Sequence, residues 1–185
     1  MGLNKPRASL PQPASKLDVL YNRPGFMLRR AYQISTSLFD DEVSSIGGTT
    51  TQYGVLWVLS CRPNVDQIGL AKLMGLDRST AALVVGNLEK DGLIVRRSDA
   101  IDRRRKMLEL TDRGRERLAR LAAPARRVQQ RVLSAFAPDE AKMFLMLLHK
   151  FVATFNEHIR TPIVLDGRQA KANKRRKKAK PRPRR

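Results

Sequence analysis

What this 185-residue sequence has little of narrows its chemistry. It holds a single cysteine, Cys61, so no intramolecular disulfide can form. Its only histidines are His149 and His158, and with one distant cysteine they supply neither a metal cluster nor a nucleophile–base pair, so an enzyme is not expected and no cofactor is called for. Glu157 adjoins His158 in sequence, which points the two to different helix faces. The few aromatic residues do not form the strand motifs that stack RNA bases. No apolar run approaches the length needed to cross a bilayer, and the N-terminus lacks an apolar signal core, so a cytoplasmic protein with no membrane partner is expected.

Acidic residues are also scarce. There are 17 of them against 37 Lys and Arg, a net charge of +20, and that balance favours nucleic acid first and an anionic membrane surface second. Residues 161–185 hold eleven of the basic residues and one acid, so this end carries +10 and the body carries the other +10. The length suits one domain with a tail. Residues 1–23, rich in proline and polar side chains, read as a flexible arm whose Lys5, Arg7 and Lys16 could touch DNA. Residues 161–185 read as a disordered basic tail, because Lys171 to Arg185 contains nothing apolar larger than alanine.

The stretch from Asn64 to Thr111 organises the rest. A cap-type residue at Asn64, apolar Ile68, Leu70, Ala71 and Leu73, and a stop at Gly75 predict a short helix and a turn. A second helix opens at Asp77, whose side chain can cap the amides of Arg78, Ser79 and Thr80, and it runs to Gly92. Ala81, Val84, Val85 and Leu88 repeat at i, i+3, i+4, i+7 and form its buried stripe. The opposite stripe is therefore Ser79, Ala82, Leu83 and Gly86, flanked by Arg78, Asn87 and Lys90. Two strands follow, Leu93–Arg97 and Lys106–Leu110, joined by a charged hairpin. Arg103, Arg104, Arg105 and Lys106 stand together there, and like charges so collected repel unless a phosphate backbone meets them.

These pieces resemble the MarR (multiple antibiotic resistance regulator) family of winged-helix repressors. The resemblance rests on Asp77-Arg-Ser-Thr, on Leu88-Glu-Lys-Asp-Gly-Leu-Ile-Val-Arg-Arg97, on the wing Asp99-Ala-Ile-Asp-Arg-Arg104 and on Leu110-Thr-Asp-Arg-Gly114. It implies a mainly α fold with a small β-hairpin wing, in which residues 49–111 bind DNA and residues 24–46 and 112–160 form a helical dimerisation region. It also implies a homodimer reading an inverted-repeat operator in double-stranded DNA. In that reading Ser79 and Thr80 bond phosphate or a base edge, and Ala82 and Leu83 meet thymine methyls. Arg104 would enter the minor groove with Asp102 orienting it, while Arg103, Arg105 and Lys106 hold phosphates. Helix capping by Ser79 and Thr80, and turn formation by Asp102, are the plainer roles. Leu83 is apolar where many members of that family place a basic or polar residue, a departure that moves base readout towards Arg78, Asn87 and the wing.

The flanking helices complete the expectation. One starts at Pro24, carries Phe26, Leu28, Ala31, Ile34, Leu38 and Val43, and ends at Gly47-Gly48; the next, Thr51–Cys61, is nearly all apolar, and Cys61 reads as a small, partly buried residue. Pro24 to Gln33 also resembles a MarR subgroup that controls aromatic-acid degradation. That implies a small-molecule effector, an aromatic acid or its coenzyme A thioester, with Arg29 and Arg30 pairing its anion and Phe26, Tyr32, Tyr53 and Trp57 walling the ring. Core packing is the plain alternative for these aromatics. Thr111 should cap a long helix kinked or broken by Pro124 near Leu121, and Ala137-Pro-Asp-Glu140 should restart one whose apolar surface, from Met143 to Ile159, is too wide for a monomer. A sequence-independent architectural DNA-binding protein of the nucleoid is the rival function, and it predicts no preference for an operator.

Overall fold

The computed structural model describes residues 15–99 and 102–163. It is mainly helical, with one small antiparallel sheet, as expected. Helices α1 (Lys16–Tyr21), α2 (Pro24–Val43) and α3 (Thr50–Cys61) are followed by a two-residue strand β1 (Val65–Asp66), helices α4 (Gln67–Met74) and α5 (Arg78–Lys90), and strands β2 (Ile94–Ser98) and β3 (Lys106–Leu110). Two long helices, α6 (Asp112–Leu133) and α7 (Pro138–Phe155), and a 3-10 turn at Asn156–His158 close the described chain.

Local chemistry explains most boundaries. Thr49 and Gln52 form a reciprocal capping box at the start of α3, each side chain serving the other's backbone N–H. Helix α4 ends at Gly75, which sits in the left-handed region (φ 66°) while the Leu76 N–H reaches back to the Ala71 carbonyl at 2.9 Å. Phe39, Val55, Leu56, Leu70, Val85, Leu88, Leu108 and Leu121 meet in one core that joins α2, α3, α4, α5, β3 and α6.

Four expectations need correction. The arm is not featureless: Ser15 caps a helix at Lys16–Tyr21, and Tyr21 packs on Phe26 with ring centroids 5.3 Å apart. Lys5 and Arg7, like most of the basic tail, lie outside the described residues. Asn64 does not cap α4. It turns in the left-handed region (φ 61°), Val65 and Asp66 pair with the outer edge of β3, and Asp66 is the cap, accepting the Gly69 N–H at 2.7 Å. A two-residue strand is too short to carry an alternating signal, so its sequence could not reveal it. Finally, of the kink or break expected at Pro124 the break is absent, and α6 runs unbroken through it. That proline is buried, as are Leu121, Ala125 and Val128, and packing against α2 offsets the missing backbone bond.

Cys61 is exposed, not partly buried. The apolar surface of α7 is also uncovered: none of its residues is buried, and Met143, Leu147, Phe151 and Phe155 all face outward. No helix among the described residues is long and apolar enough to cross a membrane.

Candidate nucleic-acid interface

Helix α5 presents the two faces that its periodicity demands. Ala81, Val85 and Leu88 are buried, and Val84 packs against the core from a half-buried position. Arg78, Ser79, Ala82, Leu83, Gly86, Asn87 and Lys90 are exposed, and Thr80 is half-buried. Leu83, at 65% exposure, has no core to serve. Gly86 meets nothing within 4 Å where a Cβ would sit, so this face is open and low enough for a surface to approach it.

The N-terminus of α5 is built around Asp77. Its carboxylate accepts from the Thr80 N–H at 2.8 Å, from the Ser79 hydroxyl at 2.6 Å and from the Thr80 hydroxyl at 2.8 Å. The Ser79 hydroxyl, then the Thr80 amide and hydroxyl, hold the carboxyl at a pKa of about 2 against an ordinary 3.8. This arrangement refines the roles of Ser79 and Thr80. A hydroxyl that spends its proton on Asp77 keeps only lone pairs, so as seated here it can accept from a base amino group but cannot donate to phosphate. A carboxyl whose folded pKa lies below its unfolded value stabilises the fold above the unfolded pKa. That contribution is lost as pH falls from about 3.8 through about 2. A carbon-detected titration should therefore give Asp77 a midpoint near 2; a midpoint close to 4 would show that the three hydrogen bonds are absent in solution.

The wing is braced from inside. In the hairpin, Asp102 accepts the Arg104 backbone N–H at 3.1 Å, and the Arg105 N–H bonds the Asp102 carbonyl at 2.9 Å. Asp102 thus shapes the turn and sets the Arg104 backbone rather than gripping its guanidinium. Arg103 and Arg104 are exposed and make no ion pair among the described residues, so both are available to an external anion. Arg105 differs from them: its Nη2 donates to Asp66 Oδ2 at 2.8 Å, tying the wing to the cap of α4. The Gly69 amide and then Arg105 hold the Asp66 carboxyl below its usual range. Lys106 donates to the Ser98 hydroxyl at 2.8 Å across the two strands, and Arg96 pairs with Glu89 of α5 at 3.0 Å. The arginine run therefore divides into two free tips and one brace. Pairing of Arg105 with Asp66 spans 39 residues, and no sequence periodicity signals it.

The candidate effector residues each engage neighbours on α2 and α3. Arg29 lies over the Phe26 ring at 5.0 Å, and Arg30 bonds Gln33 at 3.0 Å, so both arginines engage neighbours on α2. Tyr53 sits between Phe39 and Trp57, with centroids 5.9 and 6.0 Å away. Tyr32 and Trp57 are 67% and 51% exposed. The junction between the α2–α3 turn, α3, α5 and α6 holds a cavity of about 130 Å³ bounded by Gly47, Gln52, Leu88, Asp91 and Arg117, and none of the six lines it. That volume is below the several hundred Å³ usual for a ligand site, so an effector at this junction would have to open it.

Comparison with known proteins agrees with this geometry. Residues 49–106, covering α3 to the first residue of β3, match the model of the MarR family. A Thauera aromatica protein described as a transcriptional regulatory protein for the hcr operon is 35% identical over 127 residues, 68% of this chain and 76% of its own. Among solved structures, the PcaV transcriptional regulator from Streptomyces coelicolor, in complex with its natural ligand, is 37% identical with a TM-score of 0.66, covering 71% of this chain and 93% of that one. The transcriptional repressor CouR bound to a 23-mer DNA duplex is 30% identical with a TM-score of 0.69, covering 75% and 99%. CouR from Rhodococcus jostii RHA1 bound to p-coumaroyl-CoA is 27% identical with a TM-score of 0.62, covering 71% and 93%.

Proposed function

The chain belongs to the MarR family of winged-helix, DNA-binding transcriptional regulators, and on that premise we propose that it is a homodimeric repressor released by a small aromatic acid or its coenzyme A thioester. The observation that carries the DNA-binding half is the open face of α5 beside a wing whose Arg103 and Arg104 tips are unpaired. In this reading α5 enters the major groove, with Arg78 and Asn87 at base edges or phosphates and Ala82 and Leu83 against thymine methyls. Arg104 enters the adjacent minor groove, while Arg103, Lys106 and Lys90 hold phosphates. Residues 49–111 form the reader, and residues 24–46 with 112–160 form the dimerisation region.

The dimer is supported by α7. A helix whose Met143, Leu147, Phe151 and Phe155 are all exposed buries them against something, and a two-fold partner would set two α5 helices about one DNA turn apart, over an inverted repeat. Replacing Phe151 with aspartate is expected to convert the dimer to monomer in sedimentation velocity and to weaken operator binding at least a hundredfold. A dimer that survives Phe151→Asp unchanged would place the two-fold interface elsewhere.

The effector class is supported by kinship with CouR, which binds p-coumaroyl-CoA, and by the aromatic and arginine side chains of α2 and α3. Release would work by population shift: a ligand at the junction of the dimerisation helices and the reader favours a spacing of the α5 helices that fits DNA poorly. Fluorescence anisotropy on promoter and random DNA, with aromatic acids and their thioesters titrated in, tests both halves. Preference for the promoter, lost on adding one of these compounds, is the expected result. Equal affinity for the two DNAs would instead favour the architectural reading that the +20 charge allows.

A further inference from the structure

The turn between α4 and α5 is overhung by the residues that follow α7. The side-chain amide of Asn156 takes both backbone groups of Ile163: its Nδ2 donates to the Ile163 carbonyl at 2.9 Å, and its Oδ1 accepts the Ile163 N–H at 2.8 Å. That clamp seats residues 160–163 as a strap on Gly75, where a Cβ would fall 2.9 Å from Ile163 Cγ1 and 3.4 Å from the Thr161 carbonyl oxygen. Strap and reader enclose a cleft of about 630 Å³, which is within the size range of small-molecule sites and shares no residue with the junction cavity at Arg117. Ala71 and Ala81, both buried, and Pro162 of the strap give it apolar walls.

The rim of this cleft is cationic. Lys72 of α4, Arg78 of α5 and Arg160 of the strap border it, and none of them makes an ion pair among the described residues. The acids close by are already engaged. Asp77, on the same rim, accepts from Ser79 and Thr80, and Asp66, which feels the charge of Lys72, is paired with Arg105 at 2.8 Å. Like charges brought together from three elements repel, and apolar walls are better covered than wet, so the cleft matches a ligand that is anionic at one end and apolar in its body. A DNA phosphate satisfies the rim but leaves the walls in water.

We propose that this cleft binds a small organic carboxylate with an apolar body, and that the bound anion draws Arg78 out of reach of DNA. The guanidinium groups of Arg78 and Arg160 each offer paired N–H donors to a carboxylate, and Lys72 adds a point charge. Arg78 lies on the outward face of α5 and Arg160 on the strap, so the ligand bridges the two. Regulation then works by competition for one arginine rather than by a change in the spacing of the α5 helices. This regulatory half rests on DNA binding by α5; occupancy of the cleft does not.

The test uses the full-length protein, labelled at its alanine and leucine methyl groups, with 2-naphthoate as the probe and uncharged 2-naphthylmethanol as its counterpart. Naphthoate should shift the Ala71 and Ala81 methyl resonances in a saturable titration, and the alcohol should bind about tenfold more weakly because it lacks the charge-assisted pair. Arg160→Gln, at an exposed side chain away from the reading face, should weaken naphthoate about tenfold while operator affinity without the probe stays within about twofold. Asn156→Ala frees the strap and removes no charge, and it too should weaken naphthoate. In the native protein a saturating level of the probe should lower operator affinity about tenfold, and saturating operator should lower naphthoate affinity by the same factor. At that probe level Arg160→Gln should keep its hold on the operator. Equal binding of the charged and neutral probes, or shifts confined to Leu56 and Leu121 of the junction cavity, overturns the cleft as a carboxylate site. Occupancy at Ala71 and Ala81 with operator affinity unchanged overturns the competition at Arg78. Equal affinity of the probe-free protein for promoter and random DNA overturns the operator reading and not the cleft, which the methyl titration decides by itself.

Discussion

Replacing Gly114 with alanine lowers the melting temperature by roughly 6–12 °C, and valine there prevents native docking of α6. The reason is hard geometry. A Cβ at position 114 would lie 1.9 Å from the Leu93 carbonyl oxygen, 3.0 Å from the Leu93 carbonyl carbon and 3.3 Å from Leu110 Cδ2. The first two obstacles are backbone, so no rotamer change relieves them, and the start of α6 must move away from the wing. Three bonds hold it in place. The Thr111 N–H meets the Leu93 carbonyl at 3.1 Å, the Thr111 hydroxyl donates to the Gly92 carbonyl at 2.7 Å, and the Gly114 N–H is capped by the same hydroxyl at 3.0 Å. Overpacking a buried site typically costs about 1–3 kcal/mol, and a clash with backbone belongs at or beyond the top of that range. At about 2–4 °C for each kcal/mol in a chain of this size, the expected loss in thermal denaturation follows. A Gly114→Ala protein melting within about 2 °C of the native one would show that the α6–wing joint yields easily. Because this joint connects the wing to α6, the same variant should lose operator affinity even below its melting temperature.

Arg104→Ala and Arg105→Ala, one residue apart, should fail in different ways. Arg104 is a free tip, so on the proposed reading its loss removes a DNA contact and nothing else. Affinity should fall about tenfold to a hundredfold per wing, equivalent to roughly 1–3 kcal/mol, and the salt slope should drop by about one. Thermal stability should not change. Arg105 is the brace on Asp66, so its loss should loosen the pairing of β1 with β3, which hydrogen exchange at Val65 and Leu108 can read. Arg105→Ala should keep the native salt slope, so its operator affinity should fall more steeply with salt than that of Arg104→Ala. A double-mutant cycle separates the two cases: Arg105→Ala combined with Asp66→Asn should be clearly non-additive, because each breaks the same pair, whereas Arg104→Ala with Asp66→Asn should be additive. Equal salt slopes for the two alanine proteins, with no change in exchange, would mean that Arg105 leaves Asp66 to meet phosphate when DNA arrives.

The helices of the reader were legible because the forces that set them act within four or five residues. Asp77 and Thr111 cap the helices they precede, and Ala81, Val85 and Leu88 are buried in the order their spacing requires. Gly75 stops α4 where only a residue tolerant of positive φ fits. The wing strands were legible for the same reason, since β2 and β3 pair across a hairpin of seven residues between Ser98 and Lys106. A cap or a hairpin carries its partner close by in the chain.

Tertiary structure decided whatever depends on which distant segments meet. Asp66 became a cap, an ion-pair partner and an edge-strand residue at once because α4 lies against β3, and its partner Arg105 is remote in the chain. Trp57 looks like core by composition, yet the packing of α3 leaves it half exposed; Pro124 looks like a breaker, yet its buried place on α6 holds the helix whole. The clamp of Asn156 on Ile163, and the seat of Ile163 on Gly75, likewise follow from where α7 ends rather than from any local preference. The sequence by itself determined the longer helices, the wing strands, the caps at Asp77 and Thr111 and the face that α5 turns outward, because propensity and periodicity are short-range. Which arginine is free to meet DNA and which is spent as a brace belonged to the fold, because a charge is neutralised only by what the packed chain brings within hydrogen-bond reach.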